Sequence, residues 1–352
     1  MESILVTGGT GFIGSHTCLS LLEAGFNIVI VDSNINSSPL VIERLERIFK
    51  KNFVSEKRIN FFKGDIRNEK FLEEVFISSS QNCKPIGAVI HFAGLKAVGE
   101  SVAFPIKYWD ANVNGSICLL KVMERNNCKT IVFSSSATIY GEGSSLPLLE
   151  ISKIKPKNPY GYTKASVECI LENIFESDKN NWKIINLRYF NPIGAHHSGL
   201  LGEDPKDEPN NLFPYLCKVA SGQYKKLKIF GGNWPTPDGT GVRDYIHIMD
   251  LAEAHTYALN FLIENKPQFR NINIGTGKGI SVMELLITFK KVNNCEIPYV
   301  FVDRRKGDVP ILVANNQLAI SLLNWKPKRT LADMCIDGWN WQKNNPNGYS
   351  IF

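Results

Sequence analysis

Tyr160 and Lys164 stand four residues apart in Asn158-Pro159-Tyr160-Gly161-Tyr162-Thr163-Lys164, where the pattern predicts a helix running to about Glu176. Residues at i and i+4 share one face of a helix. A free tyrosine ionises near pH 10, too high for a good base at neutral pH, but an adjacent ammonium favours the phenolate. Such a phenolate takes the proton of a hydroxyl while the carbon beneath gives up hydride. By spacing alone, a helix with one exposed lysine and one packed tyrosine is the better reading. What decides the matter is whether the chain can also hold a hydride acceptor.

It carries the residues for one. The apolar run Ile4 to Thr7 is followed at once by Gly8-Gly9-Thr10-Gly11-Phe12-Ile13-Gly14 and then by a helical pattern. Glycines at 8, 11 and 14 let the backbone approach a pyrophosphate, and the helix N-terminus offers free N–H groups and partial positive charge. The next strand ends at Asp32, close to where an acid accepts hydrogen bonds from the adenosine ribose. A carboxylate there repels a 2′-phosphate and no arginine immediately follows, so NAD is expected over NADP. Gly64-Asp65-Ile66 lies just past the third strand and could put a carboxylate near the adenine amino group. His91-Phe92-Ala93-Gly94 closes the fourth strand, where the small Ala93 and Gly94 would let the cofactor lie against the backbone; His91 reads as a packed histidine. The positive nicotinamide would further favour the Tyr160 phenolate, with a serine of Phe133-Ser134-Ser135-Ser136-Ala137-Thr138 relaying the proton or fixing the substrate.

The elements that must position these groups are legible as alternation. Ile4 to Thr7, Asn27 to Val31, Ile59 to Phe62, Ala88 to Phe92, Thr130 to Ser134 and Ile184 to Tyr189 read as buried strands with helices between them. One helix, Ile13 to Ala24, ends before Gly25. This alternation predicts a Rossmann-type α/β fold, a doubly wound parallel sheet. After Asn191 the texture becomes richer in Pro and Gly, with helices near 250–263, 281–292 and 315–323. The expected division is a cofactor domain over 1–190, joined by a segment returning near 243–275, and a smaller α/β substrate domain over 191–352.

Composition narrows the class. The 352 residues are 43% hydrophobic and 21% charged, with no stretch approaching the roughly 18 apolar residues of a spanning helix. A soluble protein without membrane contact is expected. Met1-Glu2-Ser3 leads straight into an apolar strand with no secretory signal pattern, which points to the cytoplasm. Eight cysteines are scattered without a Cys-x-x-Cys pair, so neither disulfides nor a metal site is expected. The formal charge of +6 falls in short clusters such as Lys225-Lys226 and Arg304-Arg305-Lys306 rather than a stripe. That suits a basic surface around a pocket for an anionic substrate, and no nucleic-acid partner is expected.

Thr-Gly-x-x-Gly-x-x-Gly and Tyr-x-x-x-Lys together resemble the extended short-chain dehydrogenase/reductase family. More specific segments run along nearly the whole chain: His91 to Ser101, Phe133 to Gly141, Arg188 to Ala195, Asn210 to Tyr215 and Asp238 to Asp250. They are similar to the UDP-hexose 4-epimerase branch. The resemblance implies removal of hydride from C4 of the sugar, rotation of a 4-keto intermediate, and return of hydride to the opposite face. UDP-glucose and UDP-galactose are the implied substrates. By matching positions it implies Ser136, Tyr160 and Lys164 as catalytic, Lys96 and Asn112 as cofactor or substrate contacts, and Ser134 and Tyr189 beside the cofactor. Asn191, Asn211, Leu212, Phe230, Arg243, Arg305 and Asp308 are implied for the nucleotide-sugar. Guanidinium forks at 243 and 305 suit a diphosphate.

Leu312 is a departure, aligning with a pocket position that is tyrosine in some relatives and cysteine in others; the smaller, branched side chain extends the expectation to N-acetylated UDP-hexoses. The rival activities are a nucleotide-sugar 4,6-dehydratase or decarboxylase of the same fold. Dehydration needs further acid and base groups, and Ala137-Thr138-Ile139 supplies no carboxylate. A non-catalytic NAD-binding regulator is more distant, since it has no need of Tyr160 and Lys164. Helical segments Pro105 to Arg125 and Tyr160 to Glu176 are candidates for a homodimer face.

Overall fold

The computed structural model describes residues 2–350 apart from 53–57, 83, 142–144, 207, 210, 306 and 307. Met1, Asn210 and Lys306, named above, and Cys83, one of the eight cysteines, lie outside the described residues.

The first strand, β1 (Ser3–Thr7), is buried at every position, as a strand covered on both faces must be. It is followed by α1 (Phe12–Glu23), β2 (Asn27–Asp32), α2 (Leu40–Asn52), β3 (Ile59–Lys63), α3 (Glu69–Gln81) and β4 (Ile86–His91). Gly25, in the left-handed region at φ +91°, lets the chain leave α1, its N–H donating back to the Leu22 carbonyl. Next come α4 (Val98–Ala103), α5 (Pro105–Tyr108), a π-helical turn over Trp109–Asn114, α6 (Gly115–Arg125), β5 (Thr130–Ser136), a 3-10 turn at Ala137–Ile139, α7 (Pro159–Ser177) and β6 (Lys183–Tyr189). The single helix expected from Pro105 to Arg125 is thus interrupted. The extra residue of the π turn accompanies Asn112, whose side chain reaches both a loop and another helix.

The remaining elements are β7 (Asn191–Ile193), α8 (Leu212–Ala220), β8 (Leu227–Phe230), β9 (Val242–Arg243), β10 (Tyr245–His247), α9 (Ile248–Glu264), β11 (Gln268–Ile274), β12 (Ile280–Ser281), α10 (Val282–Asn293), β13 (Tyr299–Val302), β14 (Ile311–Leu312), α11 (Gln317–Leu323) and α12 (Leu331–Asn344).

The large sheet has the order β11-β6-β5-β4-β1-β2-β3. β1 runs parallel to β2 and β4, β2 to β3, and β4 to β5. The chain winds outward to β3 and then crosses back to β4 beside β1. That reversal is the switch point at whose carboxyl ends a doubly wound sheet binds ligands, and Gly8 and Phe92 follow the two strands that flank it.

The chain divides into two compact units. One comprises Met1–Gly141, Ile154–Arg188 and Ala252–Ile272; the other comprises Glu142–Lys153, Tyr189–Leu251 and Asn273–Phe352. In the first, Leu5, Val29, Val89, Ile131 and Phe133 from the sheet pack with Leu72, Phe76, Leu119, Met123, Val167 and Leu171. In the second, Phe213 and Leu216 of α8, Leu227 and Ile229 of β8, Leu285 and Phe289 of α10 and Met334 of α12 form a separate core. Among the described residues, no helix is long and apolar enough to cross a membrane.

Candidate active site

The glycine loop is built so that nothing larger fits. Gly8 adopts φ +71°, and a Cβ there would lie 2.8 Å from the Ala93 nitrogen. A Cβ on Gly14 would lie 2.2 Å from the Gly8 carbonyl oxygen. Gly11 caps α1 in extended conformation, with no side-chain cap and no acid in the first turn, which begins at Phe12 and Ile13. The helix dipole and the N–H groups of that turn are therefore left to an anion.

Asp32 ends β2 as the centre of a small network. One carboxylate oxygen accepts from the Thr10 N–H at 3.1 Å; the other accepts from the Asn34 N–H at 2.9 Å and the Ser37 hydroxyl at 3.0 Å. Asn34, at φ 56°, donates its side-chain amide to the Thr10 and Ser37 hydroxyls. Sequence reasoning missed Thr10, Asn34 and Ser37. The available signal was an aspartate followed two residues later by asparagine, a pattern suited to a side-chain-closed turn.

Asp65 follows β3 but meets a protein partner. Arg67 grips its carboxylate through Nη2 at 2.6 Å and Nε at 3.1 Å, and reaches Asp110 with Nη1 at 2.5 Å. The Arg67 hydrogen bond holds the Asp65 carboxyl below its usual range. Ile66 is buried against Gly115, where a Cβ would lie 2.7 Å from it. His91 is a packed histidine as expected. Its Nδ1 is 2.7 Å from the Thr7 hydroxyl and its Nε2 2.9 Å from the Ser116 hydroxyl, and burial pushes it down to about 3, so it is neutral.

The loop after β4 lies on β1, with the Phe92 N–H donating to the Thr7 carbonyl and the Ala93 N–H to its hydroxyl. Gly94 faces Asn112, whose carbonyl a Cβ would meet at 3.0 Å. Buried Asn112 accepts from the Leu95 N–H at 2.7 Å and donates to the Leu95 carbonyl and the Thr163 hydroxyl, both at 3.0 Å. Thr163 donates in turn to the Tyr160 carbonyl. Both amide protons of Asn112 are thus given to protein groups, tying the loop that presents exposed Lys96 to the helix that presents Tyr160.

Asn158 and Pro159 start α7 where they must. The Asn158 side chain accepts from the Gly161 N–H at 2.9 Å, and proline takes the first helical position. Tyr160 and Lys164 are both buried along one face toward β5. Lys164 Nζ donates to the Ser134 carbonyl at 2.7 Å, 4.8 Å from the Phe133 ring centre and 5.9 Å from that of Tyr160. Ser136 accepts from the Thr138 N–H at 3.3 Å and its hydroxyl at 3.0 Å. Burial pushes the Tyr160 phenol up to about 12, against which a hydrogen bond with Ser136 acts. Burial pulls Lys164 down to about 8, opposed by the negative charge of Glu168. Without further positive charge the phenol stays protonated, whereas the ammonium sits near its balance point.

The other unit gathers a second set. Arg243 of β9 pairs in parallel register with Leu312 of β14, and its Nη1 donates to the Val242 carbonyl at 2.8 Å. Burial lowers the Arg243 pKa; the charge of Asp308 opposes this and that of Arg305 adds to it, so the three are neighbours. The Arg305 guanidinium lies 4.5 Å from the Phe230 ring centre, with Nε 3.3 Å from Asp308. Next to Arg243, buried Asp244 accepts from the N–H groups of Thr276, Gly277 and Ala314 and from the Thr276 hydroxyl, an organising residue that sequence reasoning missed. Exposed Asn211 precedes Leu212, the first residue of α8, and donates to Glu203 at 3.3 Å. Asn191 opens β7, its N–H donating to the Asp244 carbonyl, and buried Tyr189 ends β6. A cavity of about 490 Å³ is lined by Gly231, Gly232, Asn233 and Phe301 to Arg304, none of them an expected site residue. Among the described residues, no group of three or more His, Cys, Asp or Glu side chains could hold a metal.

One buried row can therefore perform hydroxyl proton transfer beside a glycine-built anion cradle, and a cluster of two arginines and an aromatic ring can take a nucleotide. Comparison with known proteins separates the activities this chemistry allows. The family model described as GDP-mannose 4,6 dehydratase matches residues 5–337. UDP-glucose 4-epimerase of Dictyostelium discoideum is 49% identical over 349 residues, covering 99% of this chain and 98% of its own. The chain belongs to the UDP-glucose 4-epimerase family. A solved member from Bifidobacterium longum, in complex with NAD+ and UDP, superposes with a TM-score of 0.92 at 46% identity, over 99% of this chain and all of that one. The UDP-Glc/GlcNAc 4-epimerase of Campylobacter jejuni matches at a TM-score of 0.82 and 31% identity, over 98% of this chain and all of that one. Against the dehydratase named by the broader model stands the turn at Ala137–Ile139, where this epimerase family member has no carboxylate.

Proposed function

We propose that the chain is an isomerase, an NAD-dependent UDP-hexose 4-epimerase acting on UDP-glucose and UDP-galactose. The observation that carries the reading is the buried row of Ser136, Tyr160 and Lys164 followed by a turn without an acid. The fit to NAD rests on the glycines whose added Cβ atoms would collide at 2.2 and 2.8 Å, and on Asp32 placed at the end of β2. Gly8, Gly11, Phe12, Ile13 and Gly14 would hold the pyrophosphate, Asp32 the ribose, and Phe92, Ala93 and Gly94 the face of the dinucleotide. When bound, NAD supplies the hydride acceptor and, after the sugar turns, the donor.

Tyr160 takes and returns the proton of the 4-hydroxyl. Ser136, whose oxygen accepts two hydrogen bonds from Thr138, directs its own proton toward the phenol oxygen or the sugar oxygen. The Lys164 ammonium, fixed on the Ser134 carbonyl, adds positive charge that favours the phenolate. Arg243 and Arg305 neutralise the diphosphate, with Phe230, Asn191, Asn211, Leu212 and Asp308 around the nucleotide-sugar. Lys96 adds a positive charge on its loop. Purified protein given UDP-galactose without added NAD should yield UDP-glucose by NMR. Tyr160→Phe should retain NAD and lose turnover by at least ~10²; a 4-keto-6-deoxy product, or an active Tyr160→Phe, would overturn the reading.

Half-buried Leu312 supports the wider substrate range, UDP-GlcNAc and UDP-GalNAc, because a leucine leaves room that tyrosine would fill. A homodimer is also proposed. Val102 and Phe104, just before the first helical segment expected to pair, and Ile106 within it are 63%, 59% and 82% exposed; Trp109 of the first segment and Tyr162 of the second are exposed as well. Sedimentation at monomer mass would sink that assignment. The seven described cysteines are unpaired thiols, five of them buried, which fits a reducing compartment such as the cytoplasm.

A further inference from the structure

The row on α7 does not stop at Lys164. Glu168 follows four residues later, and three successive residues of β5 meet the three members of the row. Ser136 lies close enough to the Tyr160 phenol to favour its ionisation, the Ser134 carbonyl accepts from Lys164, and the Ser135 hydroxyl donates to Glu168 at 2.5 Å. The Glu168 carboxylate is held from its other side by Arg188 of β6, with Nη2 at 2.6 Å and Nε at 3.0 and 3.2 Å. Arg188 also donates to the Tyr140 hydroxyl at 3.1 Å, its guanidinium 5.3 Å from that ring. All four side chains are buried. A buried ion pair is a poor way merely to join a helix to a sheet, since apolar residues do so without desolvating two charges. What distinguishes this pair is its place, one helical turn beyond a buried ammonium.

We propose that Glu168 is a positioning residue for the hydroxyl-oxidising pair: clamped by Ser135 and Arg188, it keeps residues 134–136 in register with α7 and fixes a negative charge beside Lys164. This rests on the epimerase reading given above. The groups around Lys164 are Tyr160 and Glu168 on its own helix, neutral His91 on β4, and Arg188 on β6 beyond Glu168. Without the carboxylate, Lys164 and Arg188 are two buried cations with no anion among these groups. The ammonium then gives up its proton at lower pH.

Glu168→Gln keeps the shape and removes the charge. It is expected to fold, retain NAD, leave KM for UDP-galactose within about twofold, and lower kcat, with the alkaline limb of the kcat–pH profile moved about one unit toward acid. The titration of Lys164, followed by NMR of the labelled side chain, should move with it. Glu168→Met combined with Arg188→Met removes both charges while keeping apolar volume, and serves if the single variant does not fold; its limb and titration should also lie on the acid side of the wild type. A wild-type limb and titration in whichever variant folds, even with lowered kcat, would overturn the proposal and leave Glu168 a structural residue. A wild type with no epimerase activity would instead overturn the epimerase reading, and the Lys164 titration would still decide on Glu168.

Discussion

Lys164→Met should make the nucleotide-free protein more stable relative to wild type near neutral pH, and the advantage should vanish as pH rises. Burial lowers the lysine from 10.5 to about 8, roughly 2.5 units, so holding it charged in the folded state costs about 3 kcal/mol. Methionine removes that cost and keeps apolar atoms near the Phe133 ring, but it strips the Ser134 carbonyl of its donor, a loss of about 1–3 kcal/mol. The net gain near pH 7 is therefore modest, ~1 kcal/mol. The pH dependence is the sharper test. Between about 8 and 10.5 the unfolded wild type binds a proton that the folded form has released, so wild-type stability rises through that window; below about 8 this group adds no slope. Methionine has no such slope. Urea unfolding of both proteins, stripped of nucleotide, at several pH values between about 7 and 10 measures the difference. The wild type should gain on the variant by up to about 3 kcal/mol across the window. Parallel curves would refute the idea that Lys164 is held as a strained, buried cation, and with it the account of why this position trades stability for chemistry.

Gly14→Ala puts a Cβ 2.2 Å from the Gly8 carbonyl and should abolish NAD retention, read as nucleotide released from the denatured protein; wild-type content would contradict the proposed cradle. Arg243→Met should raise KM for UDP-galactose ~10–100-fold, the equivalent of one or two charged hydrogen bonds, with kcat little changed. A fall in kcat alone would move Arg243 from nucleotide binding to the reacting centre. Leu312→Tyr should remove turnover of UDP-GlcNAc while sparing UDP-glucose, and equal effects on both sugars would show that this position does not gate the N-acetyl group.

How much of this was legible from residue order depends on how local each cause is. The central strands, the glycine loop and Asp32 could be read because their causes are local: buried β-branched runs, glycines where no Cβ fits, and an acid at a strand end. The π turn at Trp109–Asn114 could not, since the pattern through Pro105 to Arg125 is helical and the deviation is set by what Asn112 touches at Leu95 and Thr163, 17 and 51 residues away. Asp65 could be placed after its strand, but Arg67, two residues on, grips it while also reaching Asp110 of the π turn, a partner 43 residues away that residue order does not reveal. The two-residue strands β9, β12 and β14 are too short for any period to appear, so Arg243 and Leu312 came only from resemblance and their adjacency only from the structure. Glu168 is the instructive case. Its spacing from Tyr160 and Lys164 was present in the sequence, yet a glutamate on a helix reads as a solvated charge. The contrary signal was Arg188, a cation inside the apolar strand Ile184 to Tyr189. A charge in a buried strand requires a buried partner of opposite sign, and an acid on the face already assigned to chemistry is the partner that leaves the adjacent lysine charged.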